Sequence, residues 1–98
     1  MSILLITVNY KDSLPTKNLI DSIQKCNING NLKIIIIDNE SSKDSFSSLE
    51  LIRKNTSLDI DIIQSSKNRY YWGGINLGLN YFYNNRQNYK WIIACNND

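Results

Sequence analysis

Lys33-Ile34-Ile35-Ile36-Ile37-Asp38 sets four consecutive isoleucines between a cation and a carboxylate. An unbroken run of β-branched side chains suits a strand covered on both faces, the condition of a central strand in a parallel sheet. Upstream, Ile3 to Val8 forms a second apolar run, ended by the polar Asn9-Tyr10-Lys11-Asp12. The segment between them reads as a helix. Asp12 or Ser13 can cap it, Pro15 fits a first turn where its missing N–H is not needed, and Leu19, Ile23 and Cys26 fall on one face. Asn27 to Asn31, containing Gly30, closes that helix.

Downstream of the isoleucines, Asn39 to Asp44 is a polar, serine-rich loop. A second helix follows, with Phe46, Leu49 and Ile52 on its inward face and Asn55 near its end. Ile60, Ile62 and Ile63, interleaved with Asp59 and Asp61, form a shorter strand, and the alternation places it toward a sheet edge. Ser65 to Gly74 reads as a loop ending in two glycines. Beyond it lies a third helix, on which Ile75, Leu79 and Phe82 share a face that Tyr83 widens. Asn84 to Asn88 breaks the pattern. Trp91-Ile92-Ile93-Ala94-Cys95 is then a last buried strand, ending in Asn96-Asn97-Asp98.

The order is β-α-β-α-β-α-β. It predicts a Rossmann-like α/β domain with a mainly parallel sheet of about four strands, helices on both faces and right-handed crossovers. In such sheets ligands bind outside the carboxyl ends of the strands. Here those ends carry Thr7, Asn9 and Tyr10 on the first strand, Asp38 and Asn39 on the second, and Asn96 to Asp98 on the fourth.

Composition narrows the chemistry. With 98 residues the chain is one domain, and 42% hydrophobic residues with a net charge of +2 describe an ordinary globular protein. Its lysines and arginines are scattered singly, unlike the basic face of a nucleic-acid binder. The absence of histidine excludes a Ser-His-Asp triad and histidine-ligated zinc. Cys26 and Cys95, far apart and outside any CxxC, read as buried free thiols of a reducing compartment. No run of about 20 apolar residues is present, and Met1-Ser2-Ile3 has no signal-peptide character. The expected location is the cytoplasm, including the inner face of the membrane.

Among the candidate sites, Asp38 fits either a loop-solvating aspartate or a carboxylate that accepts from a base or ribose. Asp98 is the one carboxylate of its tripeptide, the type of oxygen ligand that Mg²⁺ or Mn²⁺ combines with phosphates. Gly73, Gly74 and Gly78 allow either a phosphate approach or close packing. No GxGxxG follows the first strand and no GxxxxGK[ST] occurs, which argues against a dehydrogenase and a P-loop NTPase. Tyr70, Tyr71 and Trp72 are either a stacking surface or a satellite core.

Four stretches in order resemble the amino-terminal half of the family-two, GT-A-fold glycosyltransferases, in particular the rhamnosyltransferase-like group. They are Leu5-Ile6-Thr7-Val8-Asn9-Tyr10, Ile37-Asp38-Asn39-Glu40-Ser41-Ser42-Lys43-Asp44, Asn68-Arg69-Tyr70-Tyr71-Trp72-Gly73-Gly74-Ile75-Asn76-Leu77-Gly78 and Trp91-Ile92-Ile93-Ala94-Cys95-Asn96-Asn97-Asp98. The resemblance spans residues 1–98 and implies a donor-binding domain for a UDP-, dTDP- or GDP-sugar. It implies nucleotide contacts from Thr7, Asn9, Tyr10, Asp38, Asn39 and Ser41, and a donor pocket lined by Gly74 and Asn76. Asn96-Asn97-Asp98 matches a DXD-type motif, in which Asp98 holds Mg²⁺ or Mn²⁺ against the diphosphate. The family's catalytic base and acceptor region follow that motif, so the resemblance implies either a truncated chain that binds donor without transferring sugar or a second chain that supplies the rest. The competing expectations are a non-enzymatic module that self-associates through an exposed sheet edge, and a flavodoxin- or receiver-like domain. Thr7-Val8-Asn9 argues against the receiver by supplying no acidic cluster.

Overall fold

The computed structural model describes residues 2–26, 31–84 and 89–98. Its elements run β1 (Ser2–Tyr10), α1 (Leu14–Lys25), β2 (Asn31–Asn39), α2 (Lys43–Lys54), β3 (Asp59–Gln64), α3 (Tyr70–Asn84) and β4 (Trp91–Cys95). The sheet is four-stranded and parallel, in the order β3-β2-β1-β4.

Chain direction explains the layering. The steps β1 to β2 to β3 move one way across the sheet, so their right-handed crossovers α1 and α2 share a face. The step from β3 to β4 jumps back over β2 and β1, and the same handedness puts α3 on the opposite face. Two cores result. Leu5, Ile34, Ile36 and Ile60 pack with Ile20 of α1 and Leu49 of α2. Leu4, Ile6, Ile35 and Ile37 pack with Ile75 of α3. The isoleucines of β2 thus alternate between two covered faces, as an unbroken apolar run requires, and Ile34 to Ile37 are all buried.

Several local expectations are corrected. α3 begins at Tyr70, so Gly73 and Gly74 lie inside the helix rather than in the loop before it. The glycines are there for contact: a Cβ on Gly74 would stand 2.8 Å from Val8 Cγ2, and one on Gly78 2.8 Å from Ile6 Cγ2. Only a side chain reduced to hydrogen lets α3 lie this close to β1. The inward residues of α1 are Thr16, Ile20 and Ile23, while Cys26 is exposed, one residue round the helix from the expected stripe. Tyr83 is exposed as well, and Tyr81 takes the packed position on α3. β3 is an edge strand, as its alternation predicts. β4 is the other edge and is not a buried strand: Trp91, Ile92 and Ile93 are 61%, 44% and 43% exposed. A five-residue apolar run looks the same whether or not it is covered, and here the helices cover the other strands. Of the helix-closing segments expected at 27–31 and 84–88, Asn31 belongs to β2 and Asn84 to α3, and the rest lie outside the described residues.

Candidate functional site

Parallel strands bring their carboxyl ends to one edge, so the ends of β1, β2 and β4 meet there as the strand order demands. Register assigns the side chains to faces. Thr7, Asn9 and Asp38 lie on the face of α1 and α2, whereas Asn39 turns to α3, where its Nδ2 donates to the Tyr70 carbonyl at 3.0 Å.

Asp38 is the hub of this edge. Its side chain is fully buried, with Oδ1 accepting from Asn9 Nδ2 at 3.3 Å and Oδ2 accepting from Ser41 Oγ at 2.7 Å and Ser45 Oγ at 2.8 Å. A carboxylate out of water needs several such donors. The three donors come from β1, from the loop after β2 and from the first turn of α2, so one carboxylate ties three segments together. Ser45 also serves a reciprocal cap with Ser42: Ser42 Oγ accepts from Ser45 N at 3.0 Å and Ser45 Oγ from Ser42 N at 2.9 Å. On α1 the capping acceptor is Asp12, whose Oδ1 takes the Leu14 N–H at 3.0 Å; Ser13 makes no side-chain cap.

The network continues across β1. Thr16 Oγ1 donates to Asn9 Oδ1 at 2.6 Å, and Asn97 Nδ2 donates to Thr16 Oγ1 at 3.0 Å. Buried side chains therefore join Asp38 at the end of β2 to the tripeptide after β4. Within that tripeptide Asn96 and Asp98 are exposed and Asn97 is half-buried. Thr7 is fully buried and its hydroxyl is the one buried side-chain polar atom without a partner among the described residues. It stands beside Cys95 in register, on the same face as Asn9.

The rim is held in unusual backbone. Lys11 after β1, Glu40 after β2 and Tyr70 at the start of α3 have φ of 60°, 50° and 59°. Left-handed non-glycine residues each cost about 1 kcal/mol or more, and such residues gather at ligand sites. Lys11 Nζ lies 5.1 Å from the Tyr10 ring centroid and 3.9 Å from Glu40 Oε2, bridging two of the three. Its contact with the Tyr10 phenol, and then the Glu40 carboxylate, raise the Lys11 ammonium above its ordinary 10.5. Tyr70 has its N–H turned to Asn68 Oδ1 at 2.9 Å, which supports the left-handed turn. The aromatic trio divides: Tyr71 packs into the α3 core, and Tyr70 and Trp72 are exposed.

The sequence-predicted residues thus fall into two groups. Thr7, Asn9, Asp38 and Asn39 are buried framework; Tyr10, Asn76, Asn96 and Asp98 are exposed, with Ser41 half-buried between them. Gly74 is buried, and a Cβ there would stand 2.8 Å from Val8 Cγ2. Sequence reasoning missed Thr16, Ser45 and the pairing of Lys11 with Glu40. Ser45 had a local signal, the Ser42-x-x-Ser45 spacing of a capping pair; Thr16 had none, being one small polar residue in an amphipathic helix. For a divalent cation, the described residues contain no group of three or more His, Cys, Asp or Glu. The donor set available is the Asp98 carboxylate with the amide oxygens of Asn96 and Asn97. That fits a hard cation held jointly with phosphate oxygens and does not fit a self-sufficient protein metal site.

No protein-family model matches the sequence, and no curated protein matches it. Solved structures do. The mannosyltransferase PcManGT from Pyrobaculum calidifontis, in complex with GDP-Man and Mn²⁺, matches with a TM-score of 0.71 and 15% identity over 81% of this chain and 24% of its own. TarS from S. aureus matches with a TM-score of 0.76 and 17% identity, over 100% of this chain and 17% of its own. A structure of TarS 1–349 gives the same score and identity with 28% of its length covered. The likeness is one of fold, and this chain spans 24%, 17% and 28% of these three chains.

Proposed function

We propose that this domain binds a nucleotide-diphospho-sugar together with Mg²⁺ or Mn²⁺ and serves as the donor-binding part of a GT-A-type glycosyltransferase. The observation that carries this reading is the strand order β3-β2-β1-β4. From β1 the chain departs toward β2 on one side, while β4 lies on the other, so the crevice of an open α/β sheet falls between the carboxyl ends of β1 and β4. Tyr10 ends β1, and Asp98 follows the end of β4 by three residues.

In this proposal Tyr10, Ser41 and Asn76 face the nucleotide, while Asn96 and Asp98 would hold the cation. Thr7, Asn9, Asp38, Asn39 and Gly74 set the shape of the crevice from beneath, and the unpaired Thr7 hydroxyl is a further hydrogen-bonding group held in reserve for it. The bound cation supplies charge neutralisation of the leaving diphosphate. The donor is a UDP-, dTDP- or GDP-sugar, and its transfer to an acceptor, with polysaccharide biosynthesis as the setting, belongs to the same proposal. Calorimetry with Mn²⁺ and each nucleoside diphosphate tests it. Binding that Asp98→Ala abolishes supports the reading; a folded sample that binds none of the three sinks it.

A second reading, self-association, is favoured by the contrast between the two sheet edges. β3 carries Asp59 and Asp61, paired with Lys33 at 2.9 and 3.1 Å, charges of the kind that blunt an edge. β4 is without charge, proline or glycine and leaves Trp91, Ile92 and Ile93 exposed. Light scattering across a concentration series decides it: a monomer at every concentration rejects pairing of copies through β4.

A further inference from the structure

The buried chain that ends at Asn97 runs in one direction. Asp38 is acceptor-only when ionised, so Asn9 must turn its Nδ2 toward it, which leaves Asn9 Oδ1 facing Thr16. Thr16 commits its single proton to that oxygen at 2.6 Å and can then only accept from the next group. Asn97 must therefore present its Nδ2 to Thr16, at 3.0 Å, and keep its Oδ1 for the side away from the network. An amide's orientation is decided by such partners, and this chain allows one orientation only.

We infer that Thr16 is a positioning residue: with Asn9 it transmits the fixed polarity of Asp38 to Asn97 and so holds Asn96-Asn97-Asp98 in one conformation, with the Asn97 carbonyl oxygen presented. This rests on the donor-binding reading for its purpose, since an ordered oxygen next to Asp98 is what a cation–diphosphate complex needs. Its structural content stands apart from that reading. Thr16 is fully buried although it lies in the first turn of a surface helix, and it touches both strand ends that border the crevice, Asn9 directly and Asn97 after β4. An isolated exposed tripeptide at a strand end would keep many conformations; a hydrogen bond from its middle residue to a buried hydroxyl selects among them.

The test uses ¹⁵N-labelled protein and three variants. In the wild type, residues 96–98 give heteronuclear NOE values close to those of β4, and the two Asn97 side-chain amide protons are well separated in shift. Thr16→Val keeps the shape and removes the hydroxyl; residues 96–98 become mobile and the Asn97 amide shifts move to solvent values, while β2 and α3 keep theirs. Thr16→Ser restores both. Asn97→Ala, which buries no unpaired group, guards against a Thr16→Val protein that fails to fold, and it mobilises Asn96 and Asp98 in the same way. Unchanged order at Asn96 and Asp98 in Asn97→Ala or in folded Thr16→Val overturns the inference. Titration with Mn²⁺ and GDP or UDP then reads its purpose: Thr16→Val weakens binding roughly three- to tenfold, the worth of one hydrogen bond, and Thr16→Ser does not. Equal affinity in Thr16→Val and wild type overturns the role in donor binding. A wild type that binds neither nucleotide rejects the donor reading itself, and the relay is then judged on the order of residues 96–98.

Discussion

Asp38, expected from the sequence to contact a nucleotide, is fully engaged by its own fold. Its carboxylate takes three side-chain donors and has no exposed surface, so a nucleotide reaching it would have to displace Ser41 or Asn9. Two substitutions separate framework from surface. Asp38→Ala takes the acceptor from the buried Asn9 amide and the half-buried Ser41 hydroxyl, leaves Ser45 only the Ser42 carbonyl, and costs about 3–5 kcal/mol, read from a chemical denaturation midpoint. Asp98→Ala, at an exposed position, shifts that midpoint by less than about 0.5 kcal/mol, and under the proposed function it also removes metal-dependent nucleotide binding. Similar stability losses in the two variants would contradict this division. Of the site, the polar identities at the strand ends were legible in the sequence. Their exposure was not, because burial of Asn9 and Asp38 depends on where α1 and α2 fall across the sheet.

At the scale of elements, α3 depends on glycine for its approach to β1. Gly78→Ala brings a Cβ to 2.8 Å from Ile6 Cγ2, and Ile6 is itself buried between β2 and α3 with nowhere to move. The expected cost is about 1–3 kcal/mol, the usual range for overpacking, against a slight gain were the helix isolated. A Gly78→Ala protein as stable as the wild type would show that α3 can lift from the sheet. Ser42→Ala at the head of α2 removes the acceptor for the Ser45 N–H and costs about 1 kcal/mol. The existence of all seven elements could be read from apolar periodicity and turn residues. The start of α3 could not. Two adjacent glycines signal a break when only chain propensity is considered, and it is contact with β1 that makes them the right residues inside a helix.

For the whole molecule, the two edges of the sheet differ in charge and set different sensitivities. Lys33 loses some of its hold on its proton through burial, yet its bonds to Asp59 and Asp61 outweigh that and raise it above 10.5. Tyr81, donating to Asp61 at 2.9 Å, is raised above 10.0 for that reason first and by burial second. Both groups hold their protons more tightly when folded. Their contribution is complete below about pH 10 and is lost as the pH rises through the folded values, so stability falls on the alkaline side. Urea midpoints between about pH 8 and 11.5 check this; Lys33→Met should flatten the decline, and identical slopes would show that the edge pairs contribute nothing. At the opposite edge, Ile93→Lys should reduce any concentration-dependent association seen by light scattering without loss of helical signal, since Ile93 is already half exposed.

Short-range sequence pattern is enough to specify the alternation of strands and helices, the parallel sheet that follows from it, and the clustering of polar strand ends at one edge. These are consequences of local apolar periodicity and of the handedness of crossovers, both written within short stretches such as Lys33 to Asp38. Long-range packing adds that β4 is an open edge, that Gly74 and Gly78 lie against Val8 and Ile6, and that the Asp38 carboxylate is buried and hydrogen-bonded by three side chains. It also decided that Asn96-Asn97-Asp98 is tied through Thr16 and Asn9 to Asp38. Those facts join residues separated by as many as 81 positions, as in the bond from Asn97 to Thr16. Burial and hydrogen-bond direction at such distances are properties of the assembled sheet and helices, which no single segment contains.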